Sequence, residues 1–128
     1  MDGVRPFVVI IEDYDDSREV FAECLRIGGF EVAEFACAED ALASFAGRPP
    51  DAVVTDLTLP GMSGEEFALQ LKTEPKLAAV PVFALSGRGL DSRVEALFAC
   101  TLTKPVDLDV LTLRLQHALL PSLPEAAP

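Results

Sequence analysis

Short apolar runs, each ending on a charged or hydroxyl-bearing residue, set the tightest limit on what this chain can fold into. Phe7–Ile11 runs into Glu12 and Asp13, residues 52–55 into Asp56, residues 80–85 into Ser86, and residues 101–103 into Lys104. Continuous runs of this kind, rich in β-branched side chains, suit strands covered on both faces. If they are parallel strands of one sheet, Glu12, Asp13, Asp56, Ser86 and Lys104 gather at its carboxyl edge, where open α/β sheets build their sites. Carboxylates, a hydroxyl and an ammonium in one small space make a site for a divalent cation and a phosphoryl group.

Helical patterns fill the intervals. Asp16 or Ser17 can cap a helix to Ile27 with Val20, Phe21, Cys24 and Leu25 as its apolar stripe, closed by Gly28 and Gly29. Residues 31–35 alternate polar and apolar, which suits a strand nearer the sheet edge. Residues 38–45 read as a short helix with Ala41, Leu42 and Phe45 inward, stopped by Gly47 and Pro49-Pro50. Residues 51–55 form the strand leading to Asp56. Ser63 with Glu66 makes a capping box for a helix to Thr73, and Pro75 closes it. A second box, Ser92 with Glu95, predicts a helix over residues 92–98. Asp107 caps a last helix presenting Leu108, Leu111, Leu115 and Leu119 on one face.

Alternating strand and helix with short connections predicts an α/β, flavodoxin-like (βα)5 domain with helices on both faces. Its five-stranded parallel sheet has the order 2-1-3-4-5, which sets strands one and three side by side. Glu12 and Asp13 then meet Asp56. Residues 1–120 make one domain, and residues 121–128, rich in Pro and Ala, read as a disordered tail or linker stub.

Composition excludes several classes. Net charge is −11, and no Lys/Arg stripe is visible, which argues against direct nucleic-acid binding. No apolar run approaches the roughly 20 residues that cross a bilayer, and Phe7–Ile11 is too short for a signal peptide core. The expectation is a soluble, cytoplasmic protein with no membrane contact. Cys24, Cys37 and Cys100 lack metal-ligand spacing and read as small buried hydrophobes. His117 reads as a surface residue.

Three carboxylates within a few ångströms raise one another's pKa unless a counter-charge is present. Mg²⁺ resolves this, with Asp13 and Asp56 as direct ligands, Glu12 direct or through water, and the Thr58 backbone carbonyl adding a ligand. Asp56 can then act as nucleophile toward phosphorus. Lys104 supplies a point charge for the phosphoryl oxygens, Ser86 a hydroxyl and Gly87 a backbone N–H. Arg88 is placed to screen an acyl phosphate from water. Each residue alone has a plainer reading, as a turn cap, a solvated charge or a strand-end hydroxyl.

Together the motifs V-V-I-I-E-D (residues 8–13), V-V-T-D-L-T-L-P-G-M-S-G (53–64), A-L-S-G (84–87) and L-T-K-P (102–105) resemble the receiver domain of bacterial two-component response regulators. The resemblance runs from Arg5 to Leu120. It implies that Asp56 receives a phosphoryl group from a histidine kinase, a histidine phosphotransfer protein or a small phosphodonor. It further implies that Glu12 and Asp13 bind Mg²⁺, that Ser86 and Lys104 contact the phosphoryl oxygens, and that Lys104-Pro105 is cis. Such a module is not a turnover enzyme, although it can catalyse its own phosphorylation and dephosphorylation. Its output would pass to a downstream protein or a fused effector domain.

The chain departs from the family pattern in two ways. Thr101 stands where the family usually carries an aromatic residue or His. The segment between Ser86 and Lys104 is shorter by about one helical turn, roughly four residues, and Leu97 lies near the place of a usual glycine. Both changes fall on the family's usual partner face, which favours an altered output. One alternative is therefore an interaction module whose binding ignores phosphorylation. A haloacid-dehalogenase-like phosphatase would need D-x-D after strand one, whereas Asp56 follows strand three and position 58 is Thr. A flavin binder would need a phosphate-cradling loop where Glu12 and Asp13 stand.

Overall fold

The computed structural model describes residues 5–87 and 89–120. Five parallel strands, β1 (Phe7–Ile11), β2 (Glu31–Phe35), β3 (Ala52–Asp56), β4 (Val82–Ser86) and β5 (Cys100–Thr103), form one sheet of order β2-β1-β3-β4-β5. The helices are α1 (Asp15–Ile27), α2 (Ala38–Ser44), α3 (Gly64–Thr73), α4 (Ser92–Glu95) and α5 (Leu108–Leu119). This is the flavodoxin-like order expected from the strand-helix alternation.

Strand alternation builds two cores. Val8 and Ile10 of β1 join Val54, Phe83 and Leu85 beneath α1 and α5, where Leu25, Leu111 and Leu115 are fully buried. Val9 and Ile11 point the other way and meet Val53, Phe67 and Leu71 under α2 and α3. Both faces of β3 are buried, so its run carries no polar residue until Thr55 and Asp56. Burial at about 25 cal/mol per Å² of apolar surface makes the central strands the most strongly held part of the sheet.

Several local expectations are corrected. α1 starts at Asp15, not after Asp16 or Ser17, and its N-cap Tyr14 makes no side-chain cap bond. Asp15 and Asp16 instead occupy the first turn, where carboxylates favour the positive end of the helix dipole. Val20 is 54% exposed, because the inward face of α1 turns on Ala22 and Leu25. β4 starts at Val82 rather than residue 80, since Pro81 has no N–H for the ladder; its carbonyl still accepts from Val53. α4 ends at Glu95, short of Phe98, and its cap is Asp91, which accepts from the N–H groups of Arg93 and Val94. Ser92 lies inside the first turn, so the predicted Ser92–Glu95 box is displaced by one residue. The three cysteines are half-buried rather than buried.

Other features agree with the reading. Ser63 and Glu66 form the reciprocal box at α3, Asp107 caps α5, and Lys104-Pro105 is cis. His117 is exposed. Among the described residues, no helix is long and apolar enough to cross a membrane. Residues 121–128, read as a tail, and Arg88 lie outside the described residues.

Candidate functional site

Register brings the strand ends together. β1 sets Ile11 opposite Thr55, so Glu12 and Asp56 leave the sheet as neighbours. β4 pairs Leu85 with Asp56 on one side and Ser86 with Thr103 on the other. The Lys104 N–H donates to the Ser86 carbonyl at 2.8 Å, carrying that ladder one residue further. Glu12, Asp56 and Ser86 are buried, Lys104 is half-buried and Asp13 is exposed. All five residues singled out in the sequence therefore share one sheet edge.

Within that edge, one oxygen from each of Glu12, Asp13 and Asp56 lies within 4.8 Å of the others. Lys104 Nζ donates to Asp56 Oδ2 at 2.6 Å and stands 3.9 Å from Glu12 Oε1. The Thr58 N–H donates to Asp56 Oδ1 at 3.0 Å, and the Tyr14 N–H to Glu12 Oε2 at 3.1 Å. Glu12 Oε1 is left over: among the described residues it is a buried side-chain oxygen with no hydrogen-bond partner. Leaving such an acceptor unmet costs about 1–3 kcal/mol. An all-oxygen donor set with one buried oxygen unmet fits a hard divalent cation.

The electrostatics follow from burial. Desolvation raises the Glu12 pKa above its ordinary value, and the nearby charge of Asp56 adds to the rise, against the lowering by the Tyr14 N–H and Lys104. For Lys104, burial acts against the charged form but is outweighed by the Asp56 hydrogen bond and the fields of Asp56, Glu12 and Asp13. Its pKa therefore rises, and the side chain is an ammonium at neutral pH.

The loop after Asp56 is shaped by two glycines. A Cβ on Gly64 would lie 2.7 Å from the Asp56 carbonyl oxygen and 2.9 Å from Leu57 Cα, so only glycine lets α3 start this close to β3. Gly61 has φ +73°, and beside it the Met62 N–H donates to Glu39 Oε2 at 2.9 Å, tying the loop to α2. Thr101 sits on β5 opposite Ala84 and is half-buried.

Two contributors escaped the sequence reading. Glu39 gave no sign, since its partner lies 23 residues away. Arg18, which donates to the Glu12 carbonyl at 2.9 Å, left one weak signal: a lone cation inside an acidic run.

Comparison with known proteins agrees with this geometry. The family model "Response regulator receiver domain" matches residues 8–116. The chain is 31% identical over 116 residues to the phosphate regulon transcriptional regulatory protein PhoB of Pseudomonas aeruginosa, covering 88% of this chain and 51% of that protein. It is 34% identical over 114 residues to a cyclic di-GMP phosphodiesterase of Thermotoga maritima, covering 88% of this chain and 30% of that one. It thus spans about half, or less, of the length of these relatives. Among solved structures, a CheY-like response regulator receiver domain from Methylobacillus flagellatus is 33% identical with a TM-score of 0.82, over 90% of this chain and 99% of that one. Fold, edge geometry and family match coincide over the same residues, and the chain belongs to the response regulator receiver domain family of two-component signalling.

Proposed function

We propose that Asp56 is the phosphoacceptor of this receiver domain and that residues 1–120 act as its working unit in the cytoplasm. The observation that carries the reading is the position of the buried Asp56 carboxylate, 2.6 Å from the Lys104 ammonium and beside Glu12 Oε1, which has no hydrogen bond among the described residues. An Asp56 oxygen attacks phosphorus, the bond from phosphorus to the donor breaks, and the donor atom leaves with the bonding pair. The product is an aspartyl phosphate. A phosphohistidine on a histidine kinase or histidine phosphotransfer protein, or a small phosphodonor, supplies the group. Glu12, Asp13 and Asp56, with the Thr58 backbone carbonyl, would hold Mg²⁺, which when bound would supply positive charge to the phosphoryl oxygens. The Lys104 ammonium passes from the Asp56 carboxylate to a phosphoryl oxygen as the charge moves outward. Ser86, at the end of β4, donates its hydroxyl to another.

The test is intact-mass analysis after exposure to a small phosphodonor with Mg²⁺. Wild-type protein should gain one phosphoryl group, and Asp56→Asn none. Equal gain in both would reject Asp56 as acceptor.

The output is a change at a protein-binding surface or in a fused effector domain. The four-residue α4 and Thr101 on β5 favour a second reading, in which partner binding ignores phosphorylation. Partner affinity measured with and without beryllofluoride separates the two, since a ligand indifferent to both states shifts neither.

A further inference from the structure

We propose that Arg18 is a positioning residue of the cation site, fixing the peptide between Glu12 and Asp13 so that both carboxylates face the cation. The inference rests on the reading of that edge as a Mg²⁺ site. Glu12 is where β1 leaves the sheet. Its N–H still donates to the Phe35 carbonyl of β2 at 3.0 Å, whereas its carbonyl accepts from Arg18 Nη1 at 2.9 Å. A peptide unit is planar, so the direction of this carbonyl sets ψ of Glu12 and φ of Asp13. Those torsions aim the two carboxylates. The Tyr14 N–H, donating to Glu12 Oε2 at 3.1 Å, completes the hold on the same short turn.

Arg18 is itself held. Its side chain is only 15% exposed, Nη2 donates to Asp15 Oδ1 at 2.7 Å, and Nε stands 3.6 Å from Glu34 Oε1. Glu34 is pinned from its other side by Arg26 Nη2 at 3.2 Å. The guanidinium thus reaches three separate acceptors, on the β1 end, the α1 start and β2, with angles fixed by its planar fork. No single-point cation can span them. Asp15 and Glu34 also absorb its charge, so a cation is tolerated near a site that must bind another.

This last point gives the test its sign. Acting through charge alone, Arg18 would repel Mg²⁺, and removing it would tighten binding. Acting through position, its removal must weaken binding. Mg²⁺ titration of the full chain can be followed by the fluorescence of Tyr14, the one tyrosine in a chain without tryptophan. Arg18→Gln should weaken Mg²⁺ binding about tenfold or more, the range set by outer-shell partners of metal ligands. Arg18→Lys should recover only part, having the charge without the fork. Unchanged or tighter binding by a folded Arg18→Gln overturns the proposal, whatever its thermal stability. Should that variant not fold, Arg18→Lys takes its place: it keeps the charge but loses the fork and should weaken binding severalfold, and an unchanged affinity overturns the proposal equally. Wild-type protein that binds no Mg²⁺ overturns both the site reading and this inference. Wild-type protein that binds Mg²⁺ and is phosphorylated, with Arg18 variants equal to it, overturns this inference alone.

Discussion

Glu12 shows how a single buried carboxylate costs stability at the proposed cation site. Its carboxylate is 3% exposed, and one oxygen has no hydrogen bond among the described residues. Its folded pKa lies above the ordinary 4.5, so the native state binds this proton more tightly than the unfolded chain does. Stability is therefore lost as pH rises from about 4.5 through the folded pKa. Glu12→Gln removes that titration while keeping an oxygen for the Tyr14 N–H. In chelator at pH 7 the variant should be more stable than wild type by on the order of 1 kcal/mol. The gap should close below about pH 4.5, where wild-type Glu12 is protonated in both states. Urea midpoints at pH 4 and pH 7 check this, and a wild type that is the more stable at pH 7 contradicts it.

At the scale of elements, the β3–α3 connection is where backbone packing controls the site. Gly64 opens α3 against the Asp56 carbonyl, and a Cβ there would strike the Asp56 oxygen and Leu57 Cα, main-chain atoms that cannot rotate away, besides the Leu57 side chain. Gly64→Ala should lower stability by about 2 kcal/mol, within the usual cost of overpacking, and should displace Asp56. Gly47→Ala is the matched control. Its added Cβ would meet nothing closer than the Ser44 carbonyl at 3.8 Å, so a change within about 0.5 kcal/mol is expected. Thermal denaturation of the two variants side by side measures the difference, and similar losses would disprove the close-approach account. The same scale explains α4. Its four residues carry no buried side chain, so it depends on the Asp91 cap rather than on packing.

Across the whole molecule, the proposed cation site would couple to folding, because unfolding separates Glu12 from Asp56 along 44 residues of chain. A ligand bound only by the folded state adds stability that grows with its concentration, about 2.7 kcal/mol at one hundred times Kd. Mg²⁺ should therefore raise the thermal midpoint of wild-type protein, and Asp13→Asn should lose most of that rise. Ionic strength must be matched, since a net charge of −11 responds to any salt. Equal midpoint shifts in the two proteins would mean that Mg²⁺ acts only by screening.

What the sequence determined was whatever local chemistry repeats at short range. The apolar runs specify buried strands, the Ser63 box and the Asp107 cap specify helix starts, and crossover handedness turns that alternation into a strand order. From that order the neighbourhood of Glu12, Asp13, Asp56, Ser86 and Lys104 was legible. Local chemistry also sets the Asp91 cap and keeps Pro81 outside β4, whereas tertiary structure alone turned Val20 outward and, through Glu34 of β2, set Arg18 on the Glu12 carbonyl. These last two depend on contacts whose energies differ by about 1 kcal/mol and whose partners meet only after the chain closes, too small and too distant for a local pattern to encode.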